Sequence, residues 1–337
     1  MKKISDAALA VMLTLAIALL TVLSPQAKAG AQSGISMCEN VIIPSLLPVM
    51  MLANLLQKSS AAGVFELLLG RLFRRVLNLP ESAVTPVIFG LIGGYPTGAV
   101  LTFEQYAAGR LTQQEARRIM RFNFSGGLAF TVSAVGGWYN STKTGVLLFI
   151  IIVLSDIIIA LAFPRKGEAS AAHSAELLPL SDALCSSAEV SSKSVILMSA
   201  YIILFCSLTG IAKPPQFLAP ILEITSGIFT STSRMPLPYC AFFLSFGGLC
   251  VHLQIAGLLA KMRVKYAEFL LCRVLAAVLS FALCAAYCKT FPQSVSVFSD
   301  SAGGVPLQFS QSASVGIIAM LGCAALVLDI ESRKIRL

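Results

Sequence analysis

The sequence predicts an all-α, polytopic helical membrane protein with two related halves, each carrying a re-entrant hairpin and broken helices. Three observations lead there. The 337 residues are 56% hydrophobic and 12% charged, with mean hydropathy +0.82, whereas a soluble domain is about 25% charged. Its apolar stretches are repeatedly broken by Gly and Pro. A short pattern also recurs, since Phe89-Gly-Leu-Ile-Gly93-Gly94 aligns with Phe243-Leu-Ser-Phe-Gly247-Gly248. Each copy follows a Pro-bearing turn and precedes a charged helix, the order of an internal duplication. The length allows roughly eight spans in one membrane domain, with no soluble catalytic domain.

Residues 1–30 form a first span or a signal-like segment. Lys2 and Lys3 precede the apolar run Ala7 to Leu23, and Ala27-Lys28-Ala29 matches a small-residue cleavage site. A retained span is the favoured reading because many spans follow. Residues 41–163 make the first half. Val41 to Gln57 is a span whose Pro44 and Pro48 leave carbonyls unpaired. Gly63 to Leu79 carries Arg71, Arg74 and Arg75 beside an apolar face, as an amphipathic helix at the cytoplasmic interface does.

The hairpin at 84–108 follows. Its first apolar arm, Val84 to Ile92, is too short for a span of roughly 20 residues. Gly90, Gly93, Gly94, Pro96 and Gly98 interrupt it, and Gly and Pro are the strongest helix breakers. Non-helical backbone at membrane depth is tolerated only when protein covers it or it lines a polar cavity. A kinked ordinary span is the alternative. Beyond it, Thr112 and Glu115 form a capping box. Asn123, Ser125, Gly126 and Gly127 then open a span, as an unwound site facing the hairpin or as a close helix contact. Thr144 to Phe163 is a clean span containing Asp156, an intramembrane carboxylate and hence a functional candidate or an interfacial one.

Residues 164–192, rich in Ala, Ser and Glu, read as a cytoplasmic linker with a solvated His173. The second half, 193–330, begins with the span Ser194 to Ile211. Glu223 then lies beside a Thr225-Ser226-Gly227 break. A second re-entrant hairpin is expected at 236–261, with Gly247, Gly248, His252 and Gln254 at its tip. Ala267 to Tyr287, with Arg273 inside it, and Ser312 to Leu328 are the last spans.

Basic residues cluster at 71–75, 110–121, 165–166, 261–265 and 333–336. They serve as topology signals, so the net charge of +9 does not point to nucleic acid. If 216–232 spans the bilayer, both hairpins enter from the cytoplasm. If it lies at the interface, the halves are inverted repeats and the second hairpin enters from outside. The nine cysteines contain no CxxC pair, and Cys284 with Cys288 has no neighbouring histidine, so no metal site or cofactor is expected.

The motif Gly93-Gly-Tyr-Pro-Thr-Gly-Ala99 resembles the signature of sporulation integral membrane proteins of the YlbJ (SpoVV) type, in the nucleoside-recognition, or Gate, domain group. The likeness continues through Gly109 to Ala116, Phe122 to Gly126, Leu222 to Gly227 and Phe246 to Gln254. Gly93 stands where the family has a small hydroxyl residue, and Phe124-Ser-Gly replaces a hydroxyl-richer run. The resemblance implies a multi-pass protein of the cell membrane, in the mother-cell-derived membrane around the forespore, that moves dipicolinate.

The residues themselves contain no phosphate loop and no nucleophile–base–acid set, so an enzyme is not expected. The expected partners are a small anionic solute, the lipid bilayer, and a second copy or other sporulation membrane proteins. The expected function is a transporter or channel for a small organic anion. Alternatives are a nucleoside-like solute or a non-transporting scaffold in spore envelope assembly. The expected substrate-binding residues are Gly93, Gly94, Tyr95, Thr97, Gly98, Asn123, Ser125, Glu223, Thr225, Ser226, Gly247, Gly248, His252 and Gln254. Free amides and helix ends at such breaks hold carboxylates.

Overall fold

The computed structural model describes residues 2–163, 178–215, 217–231 and 235–291. It is an all-α polytopic membrane protein. Five of its helices are long and apolar enough to cross a bilayer. His173, the polar loop after Phe291 and the expected span Ser312 to Leu328 fall outside the described residues.

Helix α1 covers Lys2–Val22, and α2 runs unbroken in direction from Ser24 to Lys58. The span expected at Val41 to Gln57 is therefore the second part of a longer rod. A widened π turn at Cys38–Ile42 precedes Pro44. Proline brings no N–H there, and the wider turn absorbs the missing bond. Ala27 of the cleavage-like motif and the glycines after it have a packing role. Ala27, Gly30 and Gly34 are buried, and a Cβ on Gly30 would come within 2.2 Å of the Cys206 carbonyl oxygen.

Helix α3 (Ala61–Leu77) leaves Val64, Leu67, Leu68 and Leu72 exposed and meets the segment Glu81–Gly93 at a bend of 99°. This is the geometry of an interfacial helix feeding a re-entrant arm. The hairpin arms are α4 (Val84–Gly93) and α5 (Thr97–Ala107). They fold back on each other, for a Cβ on Gly90 would lie 2.7 Å from the Gly98 Cα. Helix α6 (Gln113–Met120) opens with both bonds of the Thr112–Glu115 capping box. The chain is non-helical at 123–127, then helical again as α7 (128–138), and returns as α8 (Thr142–Ala162).

In the second half, α9 is Leu180–Ala212. It takes in residues 180–192, so the expected linker is partly helix. Its Ser187 and Ser191 are buried against the first half, where Ser191 Oγ accepts from Asn54. Then come α10 (Ala219–Leu222), α11 (Ile224–Ser231), α12 (Leu237–Phe246), α13 (Leu249–Lys261) and α14 (Tyr266–Thr290).

The break at Gly247–Gly248 is not a hairpin. Leu237–Lys261 forms one 25-residue span with an offset at the two glycines. Gly247 at φ +75 and an extended Gly248 displace the helix without reversing it. The fold-back of this half lies at Glu223, between α10 and α11, where a Cβ on Gly227 would be 2.4 Å from the Pro220 nitrogen. Each half is thus a long span, a hairpin, a broken span and a closing span. Phe124-Ser-Gly126-Gly127-Leu128 matches Ser245-Phe-Gly247-Gly248-Leu249 in this register.

Contacts between the helix ends show which connectors lie together. Lys58 pairs with Glu104 at 2.9 Å and Arg110 with Glu66 at 2.8 Å. Gln113 donates to the Arg263 carbonyl at 3.1 Å and Arg121 pairs with Glu268 at 2.7 Å. These basic connectors share one end of the molecule, the cytoplasmic end by the positive-inside rule. Tyr139 and Met235 meet at the other end, hydroxyl to carbonyl, at 3.3 Å. The two hairpins open toward opposite ends of the molecule. The halves are inverted repeats, and residues 261–265 still lie inside.

Candidate functional site

The first-half tip is backbone packed on backbone. Gly94 has φ +75, a left-handed conformation that suits glycine. A Cβ there would lie 2.1 Å from the Gly127 nitrogen, and one on Gly127 would lie 2.2 Å from the Gly93 oxygen. The Tyr95 N–H donates to the Ser125 carbonyl at 2.8 Å. Asn123 Nδ2 donates to the Pro86 carbonyl at 2.9 Å and, more weakly, to that of Gly98 at 3.4 Å. Gly93 leaves room for Thr97, whose Oγ1 would be 2.9 Å from an added Cβ.

An unwound segment inside a membrane protein leaves carbonyls that need donors. Arg273 of α14 supplies them. Its Nη1 donates to the Phe124 carbonyl and its Nη2 to that of Arg121. Nη1 also meets Asp156 Oδ1 at 3.0 Å, and both side chains are fully buried. Asp156 and Arg273 are therefore one buried ion pair that pins the unwound strand. Sequence reasoning singles out the acid and misses the arginine as its partner. The signal that could have found it is one opposite charge in each closing span, since buried charges are paired.

In the second half, Glu223 sits at the hairpin tip with no solvent exposure. Its Oε1 accepts from the Thr225 N–H at 2.9 Å and its Oε2 from the Ser226 N–H at 2.6 Å. It caps α11 with its own carboxylate. Cys206 Sγ and Cys250 Sγ approach the two oxygens at 4.0 and 3.9 Å, and Ser226 Oγ lies 3.5 Å from Cys206 Sγ. Gly248 packs on this tip, for its added Cβ would be 2.7 Å from the Ile224 nitrogen. The rule is the same in both halves: a hairpin tip rests on the Gly-Gly break of the broken span.

The halves meet through rings. Tyr95 lies 5.0 Å from Phe124, centroid to centroid, and a Cβ on Gly247 would be 2.7 Å from the Phe124 ring and 3.7 Å from that of Tyr95. The buried hydroxyls of Tyr95 and Thr131 have no hydrogen-bond partner among the described residues. Gly126 lies between them, and a Cβ added to it would fall 2.9 Å from Thr131 Oγ1 and 3.8 Å from the Tyr95 hydroxyl. His252 closes the junction on one side, 5.6 Å from Phe124. Its Nε2 faces the Phe246 carbonyl at 2.9 Å and its Nδ1 the Tyr266 hydroxyl at 3.1 Å.

Thirteen of the expected residues thus occupy the two tips, the two breaks or their junction. Gln254 does not. Two positions on from His252, it points off the other face of α13 and donates to the Ser194 carbonyl of α9 at 3.2 Å. Among the described residues, no group of three His, Cys, Asp or Glu side chains is arranged to hold a metal ion.

No family model matches the chain, and no solved structure matches it. It is similar to the "Sporulation integral membrane protein YlbJ" of Bacillus subtilis (strain 168), with 27% identity over 311 residues, covering 76% of each chain. The similarity supports a YlbJ-type sporulation membrane protein, and the apolar helices make it multi-pass.

Proposed function

We propose that this protein is a transporter or channel for a small organic anion, dipicolinate in sporulation, and not an enzyme. The observation that carries this reading is the meeting of both hairpin tips and both Gly-Gly breaks at Tyr95, Phe124 and Gly247. Broken helices paired across an inverted repeat are the architecture in which transporters hold solute near mid-membrane.

The conformation is closed, with backbone in contact across both tips, so solute passes only when the breaks part. Glu223 already occupies the Thr225 and Ser226 amides. A solute carboxylate takes those amides when Glu223 withdraws. The membrane around the forespore is the proposed site of action, with a second copy or other sporulation membrane proteins as neighbours.

The test pairs spores with liposomes. Spores lacking the protein should be poor in dipicolinate, and purified protein should carry dipicolinate into proteoliposomes. Normal spore content together with no uptake would favour a scaffold role instead.

A further inference from the structure

Gln254 leaves the tips, but it turns into a second concentration of buried polar groups. Among the described residues, the buried carboxamide side chains are Asn54, Gln57, Gln105, Asn123 and Gln254. Asn123 belongs to the first tip. The other four line one seam, where α2, α5, α9 and α13 meet. Asn54 donates to Ser191 Oγ at 3.2 Å, and Gln254 donates to the Ser194 carbonyl one turn further along α9. Gln57 donates to the Leu101 carbonyl at 3.1 Å, and Gln105 stands one turn beyond Leu101 on α5. Met50, Val100 and Val195 pack together in the same seam, with Leu258 of α13 against them.

Helix packing does not account for these amides. A carboxamide that glues membrane helices together uses both its donor and its acceptor. Here Asn54 Oδ1, Gln105 Oε1 and Gln254 Oε1 are buried without a hydrogen-bond partner among the described residues. A buried acceptor left unpaired is costly, and water entering the seam would pair all three. The seam also has two distinct ends. Gln254 and Cys250 lie one turn apart on α13, and Cys250 Sγ is 3.9 Å from Glu223 Oε1. At the other end, Lys58 Nζ lies 2.9 Å from Glu104 Oε2 of α5 and 2.9 Å from Ser186 Oγ of α9. The Lys58 and Glu104 side chains are 14% and 25% exposed, so this pair stands at the mouth.

We propose that the seam is the route between the basic end of the molecule and the Glu223 tip, opening as a water-filled vestibule with Lys58–Glu104 as its latch. Its solute is that of the transport reading above, on which this route rests. The moving wall is α5, a short re-entrant arm tied to α2 across the seam by the Lys58–Glu104 pair and the Gln57 bond. A partly exposed ion pair is weak, so the latch releases easily. The freed ammonium attracts an anion to the mouth. The carboxamides beyond it offer N–H groups to a carboxylate and oxygens to water.

The test uses the full chain in inside-out membrane vesicles, with the exposed native thiol removed by Cys185→Ser. A water-soluble, membrane-impermeant methanethiosulfonate should modify S191C slowly, and several-fold faster once Glu104→Gln cuts the latch. S280C, buried between α8 and α14, should stay unmodified in both. No acceleration at S191C would overturn the proposal. Equal acceleration at S280C would overturn it too, because the pair would then only hold the fold together. A second measurement does not depend on the folding of Glu104→Gln. Joining K58C to E104C with a short cleavable cross-linker should stop dipicolinate uptake by proteoliposomes, and reduction should restore it. Uptake that survives the cross-link would overturn the route and leave the transport reading intact. Absence of uptake before cross-linking would count against the transport reading instead, and the S191C rates would then decide on their own whether the seam opens.

Discussion

The two halves solve one problem in different ways. Each rests a hairpin tip on a Gly-Gly break, and each break leaves polar backbone inside the membrane. The first half unwinds residues 123–127 and borrows its donor, Arg273, from the closing span of the other half. The second half keeps its break to two glycines and caps its hairpin with its own Glu223. The first break is therefore tied to the position of α14, whereas the second is completed within its own half. An inverted repeat gives two similar folds, but the hydrogen bonds that complete them make one fixed and the other adjustable.

Breaking the fixed side should have the largest effect. Arg273→Leu leaves Asp156 buried and unpaired and strips two carbonyls of their donor, a loss of about 3–5 kcal/mol. The midpoint of thermal unfolding in detergent should fall sharply. Adding Asp156→Leu should recover only part of the loss, because the Phe124 and Arg121 carbonyls stay unsatisfied. Full recovery by the double variant would show that the strand does not depend on Arg273.

Gly127→Ala comes next. Its Cβ meets the Gly93 carbonyl, and the pinned strand cannot yield, so about 1–3 kcal/mol should be lost. Gly94→Leu belongs with it, since the Cβ of that leucine overlaps the Gly127 backbone; it should lower folded yield as well as transport. Glu223→Gln removes charge from a two-bond cap on the adjustable side and should cost about 1 kcal/mol. Protein abundance should barely change while dipicolinate uptake falls. The smallest effect is expected for Glu268→Gln at the cytoplasmic end. The ion pairs to Arg117 and Arg121 there are partly exposed, worth about 1 kcal/mol or less. The difference from the parent should vanish at high salt.

The sequence was readable wherever local chemistry decides structure. Glycine and proline marked the first hairpin, and the Thr112–Glu115 box marked the start of α6. It misled where two breaks looked alike. Gly93-Gly94 and Gly247-Gly248 share residues, yet one lies in a turn that reverses the chain and the other only offsets a helix. The difference arises from what packs on them, Gly127 in one case and the Glu223 tip in the other. The better alignment, Gly126-Gly127-Leu128 with Gly247-Gly248-Leu249, was present but short. The Asp156–Arg273 pair was hidden because its partners stand in different halves, and Gln254 was drawn into the site by proximity in sequence to His252. Labelling from either side checks the repeat directly: a cysteine at Arg263 should react from the cytoplasm and one at Lys213 from outside.

The central claim is that solute passes where the two tips and breaks meet. The most direct measurement is dipicolinate uptake by proteoliposomes carrying Tyr95→Phe or Glu223→Gln, at protein levels matched to the parent. Both substitutions keep shape and change only the polar atoms at the junction. The account predicts that uptake falls several-fold for both Tyr95→Phe and Glu223→Gln. Uptake equal to the parent in rate for both variants would contradict it.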